Sequence, residues 1–263
     1  MGKKSLGIYA LAYILFLYLP VLLIPIFSFN ASPIVSFPIE ELTTQWYKNL
    51  LGEAVLHSAL QNSLKVGIVA ALTSTLLGML AARAITNYNF LGRAPITALI
   101  MSPLVLPEII VGISLLIVLQ QLGLNLSLFT VALGHILLCL PFAIIVLRSS
   151  FEGLDKSLEY AAQDLGETPF WVFLRVTLPL ILPGVLASLL ITFTISFDEF
   201  LVAFFLAGNE PTLPVYIWSQ LRFIAKLPNI LALGSLILLF SFLLLWGADL
   251  LRRHAEKRMQ TVK

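Results

Sequence analysis

Three carboxylates stand where carboxylates are costly to keep. Glu108 lies in "PLVLPEIIVGISL", and Asp198 and Glu199 lie in "TISFDEFLVAFF", each within an apolar stretch. An acid deep in a bilayer costs at least ~2.5 kcal/mol by insertion scales, so it turns toward protein or a water-filled pathway and is read first as functional. Anionic groups along a pathway favour a cation. Phe197, Phe200, Phe204 and Phe205 surround the Asp198–Glu199 pair in sequence and offer ring faces to ammonium groups, each worth roughly 0.5–2 kcal/mol. The same acids have plainer uses. Asp198 or Glu199 could cap a broken helix or pair with Lys65, and Glu108 could bond backbone freed by Pro103 and Pro107. His57, His135 and His254 lie far apart without metal-ligand spacing, and neither H-E-x-x-H nor G-x-S-x-G occurs. His135 reads as a satisfied histidine inside a helix bundle. No metal site and no catalytic residue is expected.

A second stretch has a different character. "LDKSLEYAAQDLGETP", Leu154 to Pro169, is polar and carries its own helix signals. Asp155 suits an N-cap and Gly166 a position just past a helix end. Between them Leu158, Ala161, Ala162 and Leu165 share one face at helical spacing, and Leu154 extends the stripe backward. Thr168 and Pro169 open a second helix at once. The reading is two short helices joined by a tight turn, with Phe170 and Trp171 as anchors on the second. An amphipathic helix resting on lipid carries several Lys or Arg on its polar face. This one has Glu159, Gln163 and Asp164 against Lys156 alone, which favours docking on a protein.

The elements that must position these residues follow from composition. Of 263 residues, 59% are hydrophobic and 11% charged, with mean hydropathy +0.97 and net charge +2. A soluble domain carries roughly 25% charged residues, so the chain is an integral membrane protein. The basic residues are scattered, which excludes a nucleic-acid surface, and Cys139 is alone, which excludes a disulfide within the chain. Six stretches reach the ~20 residues that a helical span needs, at 8–29, 60–82, 95–118, 127–147, 178–207 and 231–251. The first follows Lys3 and Lys4, is too long for a signal-peptide core and lacks an A-x-A-like site, so it reads as an uncleaved span. The third should be irregular near Pro103 and Pro107. The fifth should bend or break at Pro183-Gly184. Gly67, Ala71, Ser74, Thr75, Gly78 and Ala82 make a small-residue stripe on the second span, suited to close helix packing, and Asn62-Ser63 could anchor its outer end by hydrogen bonds. With the N-terminus inside, twelve Lys and Arg fall on the cytoplasmic side and four (Lys48, Lys65, Arg222, Lys226) outside. The positive-inside rule therefore gives N-in/C-in. The expected architecture is all-α, with six transmembrane helices. Residues 1–57 form a first helix and outer loop, 58–250 a core with a cytoplasmic loop at 148–177, and 251–263 a basic cytoplasmic tail.

The cytoplasmic loop carries a family resemblance. The pattern EAA-x3-G-x9-I-x-L-P marks permease subunits of type I ATP-binding-cassette importers. This chain reads Tyr160-Ala161-Ala162, Gly166 and Val176-Thr177-Leu178-Pro179. The spacing fits; Tyr160 replaces the usual Glu, with Glu159 beside it, and Val176 replaces Ile. The resemblance implies the type I importer permease fold, with a loop that forms coupling helices in a groove of the ATPase. It places Glu159, Tyr160, Ala161, Ala162, Asp164, Gly166, Phe170, Trp171, Leu178 and Pro179 at that joint. No G-x-x-x-x-G-K-[ST] occurs, so this chain cannot cradle ATP phosphates in the usual way. ATP and Mg would sit on a partner ATPase dimer, and this chain would bind no cofactor. The other implied partners are a second, related permease and a periplasmic or external solute-binding protein, in a bacterial inner membrane. The stretches around Glu108 and Asp198–Glu199 further resemble the second permease subunit of spermidine/putrescine importers. That implies half of a polyamine pathway, lined by Asp198, Glu199, Phe197, Phe200 and Glu108. Related permeases carry ferric ion, sulfate, thiamine or opine-like compounds. An ATP-independent channel or secondary transporter would need no ATPase. An intramembrane enzyme would need a paired catalytic set that the spans lack.

Overall fold

A computed structural model describes residues 3–34, 37–39 and 41–260, with side chains over 6–34, 37–39 and 41–243. The basic tail therefore lies outside the described side chains. In chain order the helices begin with α1 (Lys3–Phe27), α2 (Gln45–Leu51), α3 (Ala54–Asn87) and α4 (Arg93–Met101). A 3₁₀ turn (Ser102–Leu104) leads to α5 (Glu108–Gln121), then α6 (Leu128–Glu152), α7 (Ser157–Asp164) and α8 (Pro169–Val172). A π-turn (Phe173–Thr177) leads into α9 (Leu178–Asp198), followed by α10 (Leu201–Leu206), α11 (Leu213–Gln220), a 3₁₀ turn (Ile224–Lys226) and α12 (Leu227–Gln260).

Among the described residues, five helical stretches are long and apolar enough to cross a membrane: Leu6–Phe27, Ala54–Asn87, Leu128–Glu152, Pro169–Asp198 and Ile224–Leu243. The third expected span is instead a bent pair, Arg93–Leu104 with Glu108–Gln121, turning by 106°. The turn falls at Val105–Pro107, where the ring of Pro107 holds the residue before it out of the helical region. Counting the pair as one span gives six.

The chain forms two compact units. The first joins Met1–Ala54 to Ile217–Lys263. Within it α1 packs on α12, where a Cβ on Gly234 would lie 3.3 Å from Ile24. Its connecting segment is tied by Trp46 Nε1, which donates to the Asn30 carbonyl at 2.8 Å, and by a 2.6 Å bond between Ser28 Oγ and Tyr47 Oη.

The second unit, Val55–Tyr216, holds the candidate site. The whole small-residue stripe of α3 is buried. Gly67 faces the Phe193 ring, Gly78 faces Ala143 closely, and Thr75 Oγ1 meets Ser188 Oγ at 3.0 Å. Packing within this subunit is thus what the small side chains permit. At the far end, Asn62 Nδ2 donates to the Pro211 carbonyl at 3.1 Å, and Leu213 N–H donates to Ser63 Oγ at 2.8 Å. The pair at 62–63 does anchor its span, to the start of α11.

Of the bend or break expected at Pro183-Gly184, no break occurs: α9 runs unbroken through Pro183. Pro179 leaves the Arg175 carbonyl without its N–H, and Arg175 lies in the wider π-turn immediately before α9. The break falls instead at Glu199, whose backbone is extended (φ −71°, ψ 124°).

Candidate functional site: an exposed elbow and a broken helix

The elbow spans α7, α8 and the π-turn. Ser157 N–H donates to Asp155 Oδ1 at 2.9 Å, so Asp155 caps α7. This bond holds the Asp155 carboxyl below the usual carboxylate range. At the other end Gly166 N–H donates to the Gln163 carbonyl (2.9 Å) and Glu167 N–H to the Ala162 carbonyl (3.2 Å). This is the paired closure of a Schellman motif, and it requires the left-handed backbone that Gly166 adopts at φ +92°. Thr168 then turns extended, and Pro169 takes the first position of α8.

Internal contacts fix the elbow's inner side. The Thr177 hydroxyl donates to Glu159 Oε1. Val172 and Thr177 are buried. Arg175 lies 4.6 Å over the Trp171 ring and 2.5 Å from Glu167 Oε1, and Arg83 of α3 lies 4.4 Å over the Phe173 ring. The outer side has no such cover. α7 buries none of its residues, and Leu158, Tyr160, Leu165, Phe170 and Trp171 are all exposed, Leu165 at 87%. The structure separates residues that the sequence groups together. Glu159 faces the π-turn while neighbouring Tyr160 faces out; Ala161 and Asp164 are exposed and Ala162 half-buried. Leu178 and Pro179 begin α9 rather than join the exposed patch. The Glu159–Thr177 bond has no signal in the sequence, because its partners are joined only through the turn; Arg175 and Trp171, four residues apart, are at a spacing that a helix brings together.

The second site is the break between α9 and α10. Val202 and Ala203 N–H groups donate to Glu199 Oε1 and Oε2 at 2.9 and 3.0 Å. Glu199, 7% exposed, therefore caps α10 with both oxygens, and its negative charge meets the positive end of that helix. Asp198, the last residue of α9, is exposed instead. There it adds its charge to the free carbonyls at the negative end of α9. The adjacent acids thus have opposite situations, and only Asp198 is open to a visitor.

α5 runs beside α10 in register. A Cβ on Gly112 would lie 2.8 Å from the Phe205 ring and 3.5 Å from Val202 Cα, and Gly208 lies close to Leu126 beyond the end of α5. Glu108, exposed in the first turn of α5, is one turn before Gly112. The bend at 105–107 separates Glu108 from the direction of α4. Phe197 and Phe200 are half-buried. Phe197 stacks on Phe193 (5.7 Å between centroids), and Phe200 lies 5.6 Å from Phe204. α5 and α10 each open on an acid, Glu108 and Glu199, and α9 ends on another, Asp198. This is the arrangement of binding sites built from discontinuous membrane helices.

The elbow and the broken helix stand at opposite ends of α9. Residues 74–261 match the family described as "binding-protein-dependent transport system inner membrane component", and the chain belongs to it, as a multi-pass membrane permease subunit. Among its relatives is the spermidine/putrescine transport system permease protein PotC of Escherichia coli strain K12. It is 31% identical over 260 residues, covering 98% of this chain and 97% of the relative. The putrescine transport system permease protein PotI of the same strain is 36% identical over 231 residues, covering 85% and 82%. Among solved structures, a bacterial ABC transporter involved in import of the acidic polysaccharide alginate superposes with TM-score 0.74, covering 94% of this chain and 98% of that one, at 17% identity. The MetNI methionine ABC transporter superposes with TM-score 0.58, covering 79% and 96%. The fold is therefore that of an ABC importer permease. The acidic cargo named for one neighbour means that this fold does not by itself set the sign of a cargo's charge.

Proposed function

We propose that this chain forms half of an ATP-driven import pathway for polyamines across a bacterial inner membrane. The observation that carries the reading is the α9–α10 break, which leaves Asp198 open at the negative end of α9 while Glu199 is consumed as a cap. Glu108 in the first turn of α5 supplies a second carboxylate. Two separated carboxylates with aromatic walls suit a flexible chain bearing several ammonium groups. The relatives named for spermidine and putrescine support the same cargo.

The elbow supplies the drive. Its exposed Leu158, Tyr160, Leu165, Phe170 and Trp171 dock in a groove on one of two ATPase copies, which hold ATP and Mg; this chain holds neither. A second, related permease completes the pathway, and an external solute-binding protein delivers the cargo. The test is uptake of labelled spermidine by the assembled transporter in vesicles. Asp198→Asn should lower the uptake rate about tenfold, and Asp198→Asn with Glu108→Gln further, each lost charge contact being worth roughly 1.5–3 kcal/mol. Wild-type uptake in the double variant would remove the cation pathway from these residues.

A further inference from the structure

His135 is a buried titratable side chain that the pathway described above does not use. It is 1% exposed in the middle of α6. Its Nδ1 lies 2.7 Å from Ser196 Oγ, two residues before Asp198, and its Nε2 lies 3.1 Å from Glu199 Oε2, one residue after. With Ser196 donating to Nδ1, the ring proton sits on Nε2 and faces the carboxylate. The second contact is close but angled, an electrostatic pairing rather than a straight hydrogen bond. One imidazole thus spans the break from the last turn of α9 to the cap of α10, with Asp198 between its two contacts.

α5 flanks α10 on one side, where Gly112 lies against Phe205 and Val202, and α6 flanks it on another. α10 has six residues, too few for a helix to persist unaided. At its C-terminal end Thr130 Oγ1 donates to the Leu206 carbonyl at 2.9 Å. In between, Gly134 lets Val202 and Leu206 lie against the α6 backbone, where any Cβ would come within 2.5 Å of Val202 Cγ1. α6 therefore holds α10 at both ends, and the N-terminal hold is His135.

We propose that His135 is a positioning residue of the pathway: by clasping Ser196 and Glu199 it fixes where Asp198 points. This rests on the reading of Asp198 as a pathway carboxylate, and the test keeps the two apart. In the complete transporter, with Cys139→Ser removing the native thiol, Asp198→Cys is labelled with a water-soluble cationic thiol reagent. Failure to label in the His135 parent overturns the pathway reading itself. Labelling at the same rate in His135→Leu as in the parent overturns the clasp alone. The expected result is labelling in both, with a several-fold change in rate on loss of the imidazole.

The functional measurement is uptake per ATP hydrolysed, which a mere loss of assembled complex does not move. His135→Leu should lower this ratio about tenfold or more, the scale on which misplacing a working group is felt. His135→Gln keeps an N–H toward Glu199 and should recover most of it. An unchanged ratio in His135→Leu, or no recovery in His135→Gln, sinks the proposal. If His135→Leu does not assemble, Ser196→Ala, which releases one side of the clasp, should lower the ratio by a smaller factor, and no change there overturns the proposal as well.

Discussion

Glu159 and Thr177 are 18 residues apart in sequence, yet their hydrogen bond closes the elbow on itself. The bond ties α7 to the residue that leads into α9; on the proposed coupling role of the elbow, a push on α7 would reach the spanning helix through it. Thr177 is fully buried, and Thr177→Val would leave the Glu159 carboxylate without that donor at about 1–3 kcal/mol. The expected outcome is ATP hydrolysis that continues while uptake falls, measured together in proteoliposomes; parallel loss of both would mean the bond only stabilises the subunit. Asp155 carries a different expectation. Its carboxyl is held below the usual range because the charged form accepts the Ser157 N–H. A depressed folded-state value means the contribution is complete above the unfolded carboxylate pKa and is lost only as pH falls through the folded value. Elbow function should therefore be flat in pH from mildly acidic to neutral conditions as far as Asp155 is concerned, and a coupling loss that tracks mild acidification in wild type but vanishes in Asp155→Asn would contradict this.

At the scale of elements, two glycines give separable predictions. Gly166 sits at φ +92° with open space around it, so its requirement is purely one of backbone. Gly166→Val should abolish uptake while membrane insertion, read by the amount of chain in the membrane fraction, stays intact, and Gly166→Asn should be milder because Asn tolerates the left-handed region. Gly78 is the opposite case. A Cβ there would lie 2.6 Å from Ala143 Cβ and 3.2 Å from Ala143 backbone, so Gly78→Ala must move α3 from α6 at about 1–3 kcal/mol. Gly67→Ala meets a Phe193 ring that can turn, and should lower the unfolding temperature of the purified subunit less. These contrasts also explain what was legible in advance. The stripe on α3, the Asx cap at Asp155, the turn at Gly166 and the irregularity at Pro107 all depend on local residue type, which sequence displays. No break occurs at Pro183, because proline's missing N–H is a local fact whereas whether a helix continues through it depends on its surroundings. The break at Glu199 was open as a capping possibility, but its choice of Glu199 over Asp198 is set by backbone N–H groups three and four residues on and by His135 on another helix. Nothing local distinguishes the two acids.

At the scale of the molecule, the elbow and the break sit at opposite ends of one helix. α9 starts at the π-turn and ends at Asp198, and at 1.5 Å per residue its 21 residues carry a displacement of its base about 30 Å to the break. That geometry makes a rigid α9 the simplest linkage between nucleotide turnover and the carboxylate. On the proposed function, force enters at the outer surface of the elbow. Phe170 and Trp171 are, with Tyr160, the aromatics of that surface, and Trp171 lies under the Arg175 guanidinium, which pairs with Glu167. A ring already immobilised loses little freedom on docking, which is how aromatic anchors come to dominate interfaces. Phe170→Ala with Trp171→Ala should therefore weaken association with the ATPase subunit by about 2 kcal/mol or more, roughly 30-fold, while pairing with the second permease is retained. Arg175→Ala should weaken it by less, since the rings remain and only their order is lost. Affinity capture of the ATPase from detergent-solubilised membranes, titrated against each variant, reads both effects. Equal retention of the ATPase by wild type and the double variant would move the docking surface off the elbow, and α9 would then transmit a force that enters elsewhere.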